Sequence, residues 1–217
     1  MLTATPPRGF NSFDSYGGLN HTQTIQLADI LASQLLPHGY EYLVLDGGWS
    51  SGKSCVTFPN GSSAPGECID EFGRSIPDPE RFPDMRKLAE EVQSRGLKLG
   101  LWTIRGVHVR AVAAKARVKG TQYTVDQLVD SEPVGGGANG SCLWAHEFLG
   151  INMSHPAAQA FYDSRVDLLA SYGMYVLRVD PMSHRVVSTS HSIPTSTRTP
   201  TCTSASTHSA TSSRPTA

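Results

Sequence analysis

One pattern, repeated three times, constrains the fold of this chain more than any other feature. In each copy a helical segment ends at a glycine, a short apolar run follows, and a polar residue closes the run seven positions later. The copies occupy residues 39–46, 96–103 and 173–180. Glycine suits the left-handed turn that ends a helix, and the runs are apolar on both faces, as in parallel strands covered on both sides. The sequence therefore predicts an α/β fold.

The helical segment before each glycine carries an apolar face at helical spacing. Asn20 or Thr22 can cap the first segment and Ser154 the third. The predicted inward-facing side chains are Leu27, Ala28, Leu31 and Leu35 in the first segment, Met85, Leu88, Ala89 and Val92 in the second, and Ala157, Phe161 and Leu168 in the third.

Two architectures fit this alternation: a (β/α)8 barrel and an open, doubly wound sheet. Residues 8–13 are interpreted as an earlier strand of the same sheet. In both architectures the chemistry lies at the carboxyl ends of the strands, which are Phe13, Asp46, Trp102 and Asp180. Carboxylates accept hydrogen bonds from hydroxyls and aromatic rings pack on sugar C–H surfaces, so this set predicts a polyhydroxylated ligand.

Charge and composition argue against several other partners. The 18 basic residues nearly balance the 19 acidic ones, so no basic field favours nucleic acid or an anionic membrane. No apolar run has the length of a membrane-spanning helix. The glycine-rich stretch 135–140 does not follow a strand and lacks the Lys-Ser/Thr of a phosphate loop, so it is interpreted as a flexible loop. The Cys and His residues do not have the spacing of a zinc site. Neither a metal nor a cofactor is expected.

Cysteines and sequons favour a secretory route, although residues 1–5 are too short and polar for a signal peptide. Four Asn-X-Ser/Thr triplets begin at Asn20, Asn60, Asn139 and Asn152. Cys55 and Cys68 flank a Gly-, Pro- and Ser-rich segment, which predicts a loop-closing disulfide in an oxidising compartment; two unpaired thiols are the alternative. Cys142 and Cys202 have no obvious partners. We expect a secreted glycoprotein.

The last 35 residues differ from the rest of the chain. Of residues 183–217, 19 are Ser or Thr, and large apolar side chains are almost missing. Such a segment cannot bury enough surface to offset its ordering entropy. The sequence therefore predicts a barrel-type domain over residues 1–182 and a disordered tail over residues 183–217.

Four stretches resemble, in order and spacing, the amino-terminal half of the α-galactosidase (melibiase) family, glycoside hydrolase family 27. They are TPPRGFNSF (5–13), YEYLVLDGGW (40–49), GRSIPDPERFP (73–83) and SRGLKLGLW (94–102). The resemblance covers about residues 5–180. It implies a (β/α)8 barrel, here about its first four βα units, and retaining hydrolysis of terminal α-galactosides by two aspartates.

The resemblance also implies roles for individual residues. Asp180 matches the nucleophile at the end of the fourth strand, and Arg178 stands where the family has a sugar-binding Lys. Asp46 matches the first of two adjacent acids that hold the sugar's hydroxyls. Phe13 and Trp102 replace a Trp and a Tyr of the sugar pocket, whereas Trp49 is interpreted as a packing residue. Strand-end aromatics and acids can also serve packing and ion pairing alone.

Three departures from the family leave the function open. The second acid and the following Cys are replaced by Gly47 and Gly48, so galactose itself is uncertain. His146 and Glu147 could approach the pocket, but no residue matches the acid/base. The tail is either an O-glycosylated stalk or the product of a reading-frame change, and we favour the second. We expect this chain to be poorly stable and catalytically incomplete; the alternative is a non-catalytic sugar-binding protein.

Overall fold

The computed structural model describes residues 6–13, 15, 18–57, 63–131, 141 and 145–180. The predicted tail, the glycine-rich stretch, Cys142 and Cys202 lie outside these residues. The strands are β1 (Gly9–Asn11), β2 (Tyr42–Leu45), β3 (Ser51–Thr57), β4 (Ser63–Glu67), β5 (Lys98–Ile104), β6 (Val107–His108), β7 (Phe148–Leu149) and β8 (Val176–Asp180). The α-helices are α1 (His21–Gln34), α2 (Met85–Gln93), α3 (Val109–Ala113) and α4 (Ala158–Ser171).

The central element is a four-stranded sheet in the order β1-β2-β5-β8. All three pairings are parallel, and the spatial order follows the chain order. An open doubly wound sheet would reverse its strand order at a switch point. The described sheet has no such reversal, so its topology is compatible with an arc of a (β/α)8 barrel.

Among the described residues, helices cover one face of this sheet and leave the other uncovered. Leu43, Leu45, Leu99 and Leu101 point to the covered face, where they form a core with α1 and α2. Alternation along the strands turns the intervening residues to the other face. A side chain built at Gly100 would collide with Val176 and press on Val44, which shows that these three positions share the second face.

The predicted helix signals are largely confirmed. Gly39, Gly96 and Gly173 have φ angles of 80°, 81° and 83°, in the left-handed region that glycine enters without strain. Asn20 caps α1 and forms a capping box with Gln23. All four inward-facing residues predicted for α2 are buried.

The start of α4 differs from the prediction. Its first residue is Ala158, and its N-cap, Ala157, makes no side-chain capping bond. Ser154, the predicted cap, instead donates its backbone N–H to the Asn152 side chain at 2.9 Å. Ser154 therefore belongs to an Asx turn before the helix and does not cap the helix.

A disulfide-tied hairpin follows the turn after β2. Cys55 and Cys68 are bonded, with their Cα atoms 4.6 Å apart, which confirms the predicted pairing. The segment between them was predicted as a loop, but β3 and β4 pair antiparallel.

Within the described residues, no helix is long and apolar enough to cross a membrane.

Candidate functional site

The candidate site lies at the carboxyl ends of the four parallel strands. Trp102 of β5 is in register with Arg178 of β8, and Ile104 with Asp180. Asp46 directly follows β2, and Phe13 lies two residues beyond β1. Parallel strands thus place the residues predicted from the sequence at one edge of the sheet.

Arg178 connects the predicted site residues. Its Nη1 donates to Oδ2 of Asp46 in a short ion pair, and its Nη2 lies 3.4 Å from Oδ1 of Asp180. The guanidinium also lies over the Phe13 ring, 5.7 Å from the centroid, within the range of a cation–π contact. Four of the five predicted residues therefore meet through one side chain, whose planar fork holds two carboxylates at once.

Asp46 is the most enclosed member of the cluster, with 8% of its side chain exposed. Its Oδ1 accepts the backbone N–H of Gly47 at 2.7 Å. Its own backbone N–H donates to Ser12 Oγ at 2.9 Å. Asp46 is therefore held from β1, from its own turn and from β8, and its position is fixed before any ligand arrives.

Trp102, the fifth predicted residue, flanks the cluster from β5. A Cβ built at Gly47 would lie 3.5 Å from its indole ring, an ordinary contact distance. Position 47 can therefore carry a side chain beside Trp102. Trp49 donates its Nε1–H to the Trp102 carbonyl at 2.7 Å and is only 2% exposed, which confirms Trp49 as a packing residue.

Arg81 was not predicted, yet it organises the loops around Asp46. Its guanidinium donates to the backbone carbonyls of Gly48 at 2.7 Å and Ser51 at 3.3 Å, and to that of Leu19. Leu19 belongs to the loop after β1, Gly48 belongs to the turn after β2, and Ser51 is the first residue of β3. In the sequence, the contact was signalled only by the PDPERFP stretch (77–83), which contains Arg81.

Glu67 is a second residue that the sequence did not indicate. Its carboxylate accepts hydrogen bonds from Ser50 Oγ at 2.7 Å and Ser51 Oγ at 2.9 Å. Burial raises the pKa of Glu67, while the serine hydroxyls and the charge of Arg165 oppose that rise. The bond from Ser50 attaches the hairpin to the turn behind Asp46, and the bond from Ser51 connects the two strands of the hairpin to each other.

The loop residues proposed to approach the pocket do not join the cluster. His146 is 84% exposed at its side chain and Glu147 46%. Within the described part of the chain, no hydrogen bond or ion pair connects either of them to Arg178, Asp46 or Asp180. The potential metal-ligand group of Cys55, Cys68 and Asp78 does not offer thiolates, because the two sulfurs are bonded to each other.

No family model matches the chain, but curated proteins and solved structures do. The chain is 33% identical over 109 residues to α-galactosidase 3 of Arabidopsis thaliana and 32% over 108 residues to the α-galactosidase of Cyamopsis tetragonoloba. These matches cover 49% and 48% of the chain but only 22% and 23% of the plant proteins.

The solved structures extend the likeness to most of the chain. A family 27 β-L-arabinopyranosidase of Geobacillus stearothermophilus, solved with arabinose, superimposes with a TM-score of 0.68 and 30% identity. The superposition covers 81% of this chain and 40% of that enzyme. The chain thus spans less than half the length of each of these relatives.

Proposed function

Because the chain is a partial member of glycoside hydrolase family 27, we propose that it carries the nucleophile half of a retaining glycosidase site for galactose-like pyranosides. The convergence of Asp46, Arg178 and Asp180 at the carboxyl ends of the strands is the observation that carries this proposal. Chemistry in barrel enzymes takes place at the end of the barrel where the strands have their carboxyl ends.

In the proposed reaction Asp180 attacks the anomeric carbon and forms a glycosyl ester, which water then hydrolyses. Arg178, whose Nη2 lies 3.4 Å from Oδ1 of Asp180, holds that carboxylate beside the sugar. Asp46 accepts hydrogen bonds from sugar hydroxyls, and Phe13 offers an exposed ring for a C–H face. A second carboxyl about 5–5.5 Å from Asp180 has to protonate the leaving oxygen, and no described residue is assigned that role.

Gly47 bears on the choice of sugar. A hydroxyl that would have paired with an acid at position 47 has no partner when that position is glycine, and an unpaired buried hydroxyl costs about 1–3 kcal/mol. An arabinopyranoside lacks the hydroxymethyl group of galactose. We therefore include arabinopyranosides among the candidate substrates, as in the Geobacillus relative.

Binding is tested on the chain itself. Galactose and arabinose are titrated while tryptophan fluorescence is followed, because Trp102 flanks the site. Asp46→Asn should weaken binding at least about tenfold, since a hydrogen bond to a charged group contributes about 1.5–3 kcal/mol. Asp167→Asn, on an exposed position of α4, serves as the control and should leave affinity unchanged. Equal affinity for all three proteins would contradict the placement of the sugar at Asp46.

Catalysis is tested in two steps. The 217-residue chain should not hydrolyse aryl α-galactosides or aryl β-L-arabinopyranosides, because general acid help contributes about 10²- to 10⁴-fold. A chimera that adds the complementary βα units of the Geobacillus relative should hydrolyse one of them and lose this activity on Asp180→Asn. A chimera that remains active with Asp180→Asn would refute the assignment of Asp180 as the nucleophile.

A non-catalytic sugar-binding protein is the second candidate. Arg178 forms ion pairs with both Asp46 and Asp180. If these ion pairs persist when sugar is bound, Asp180 is not free to attack, which favours binding without catalysis. In that case the chimera would bind the sugars but not hydrolyse them.

We further propose that the protein is a secreted glycoprotein. The Cys55–Cys68 bond supports this, because reducing compartments disfavour disulfides. Mass spectrometry of protein from a secreting host, before and after glycan removal, tests the proposal.

A further inference from the structure

The four-stranded sheet ends in two strands that lack an outer neighbour among the described residues, β1 and β8. On the β2 side, β1 uses the Arg8 carbonyl, which accepts from the Tyr42 N–H at 3.2 Å, and the Ser12 N–H, which donates to Val44 at 3.1 Å. Successive residues of a strand point their peptide groups to opposite sides. The N–H of Asn11 therefore points to the open edge, where it can pair with another strand.

The face of the sheet that the helices leave uncovered has the pattern of a barrel interior. In such an interior a layer consists of four side chains from alternate strands. Val44 of β2 and Val176 of β8 supply two side chains at one level, and they fill the space that a side chain on Gly100 of β5 would need. Two further side chains at this level would complete the layer.

Both edges also expose apolar side chains. Phe13, just beyond β1, is 63% exposed, and Val179 of β8 is 47% exposed. Residues 183–217, of which 19 are Ser or Thr, do not carry the apolar runs from which buried parallel strands are made. A second copy of the chain, in contrast, carries both the complementary edge and the two missing layer side chains.

We propose that two copies of this chain associate about a two-fold axis parallel to the strands. β8 of each copy pairs with β1 of the other, so that eight parallel strands close into a barrel without a free edge. Both junctions are identical and parallel, which is the condition for a closed, symmetric dimer. The two valines of each copy then form one layer of four.

Sedimentation equilibrium between about 1 and 100 µM tests this association. The expected limit at high concentration is twice the chain mass of 23.3 kDa. A single species of 23.3 kDa over the whole range would overturn the proposal.

Matched variants at Asn11 test the interface. Asn11→Ala and Asn11→Pro both lose the side-chain bond to Phe13, but only proline removes the outward backbone donor. We expect Asn11→Ala to dimerise like the parent chain and Asn11→Pro to dimerise at least about tenfold more weakly. Equal dissociation constants for the two would place the interface elsewhere and refute the proposal.

Amide exchange on the unsubstituted chain covers the case in which proline disturbs folding. The Asn11 amide should exchange at least about tenfold more slowly at 100 µM than at 1 µM. The Ser12 amide, already bonded to Val44, should change less and serves as the internal control. An Asn11 amide whose exchange does not depend on concentration would also contradict the dimer.

Discussion

The ion pair between Arg178 and Asp46 is the contact on which the candidate site depends, and a double-mutant cycle can measure it. Arg178→Met removes the fork while keeping an unbranched stem, and Asp46→Asn removes the charge while keeping the shape. A hydrogen bond to a charged group contributes about 1.5–3 kcal/mol. Because Arg178 is 41% exposed, water replaces part of that, and we expect a coupling free energy of about 1–2 kcal/mol.

The assay is urea unfolding of the parent, both single variants and the double variant, followed by circular dichroism. For a domain of this size 1 kcal/mol corresponds to about 2–4 °C in Tm, so thermal unfolding gives an independent measure. Arg86 and Glu90, 3.2 Å apart with both side chains more than 60% exposed, form the control pair, for which about 0.5 kcal/mol or less is expected. An Arg178–Asp46 coupling no larger than the control would refute the assignment of Arg178 as the organiser of the site.

Three further predictions concern stability. Replacing both Cys55 and Cys68 by serine should lower the free energy of unfolding by about 3 kcal/mol, as expected for a closed loop of this length, and reduction of the parent should have the same effect in urea unfolding. Burial raises the pKa of Glu67 above 4.5, so its contribution to stability is complete below pH 4.5 and is lost as the pH rises through the folded-state pKa; Glu67→Gln should remove this loss from a Tm-versus-pH curve, and an unchanged curve would contradict it. Phe161→Ala, at a side chain 1% exposed, should cost about 3–5 kcal/mol; a loss below 1 kcal/mol would show that α4 is not part of the core.

The parts of the fold that could be predicted are those specified by local chemistry. Gly39, Gly96 and Gly173 are needed because the chain must take a positive φ after each helix, and this requirement is visible in the sequence. The buried face of α2 follows from spacing alone. Asp46 and Asp180 could be placed near each other because parallel strands end at one edge.

The parts that could not be predicted depend on partners without a sequence signature. Arg81 binds three backbone carbonyls, and every residue has a carbonyl. The hairpin was taken for a loop because glycine and proline weaken strand patterns, although both are tolerated where each strand is an edge. Arg178 contacts both Asp46 and Asp180, and its contact with Asp46 had no signal in the sequence because the two residues are far apart along the chain.

The way Arg81 binds its neighbours bears on how this site can diverge. Arg81 holds the turn after β2 through the carbonyls of Gly48 and Ser51, and no side chain at position 47 takes part. The identity of residue 47 is thus uncoupled from the support of the loop, and the three described atoms nearest to a Cβ there all belong to the ring of Trp102. An acid can stand at this position without loss of the scaffold, so under the proposed function a single substitution can change the preferred sugar while the architecture stays constant.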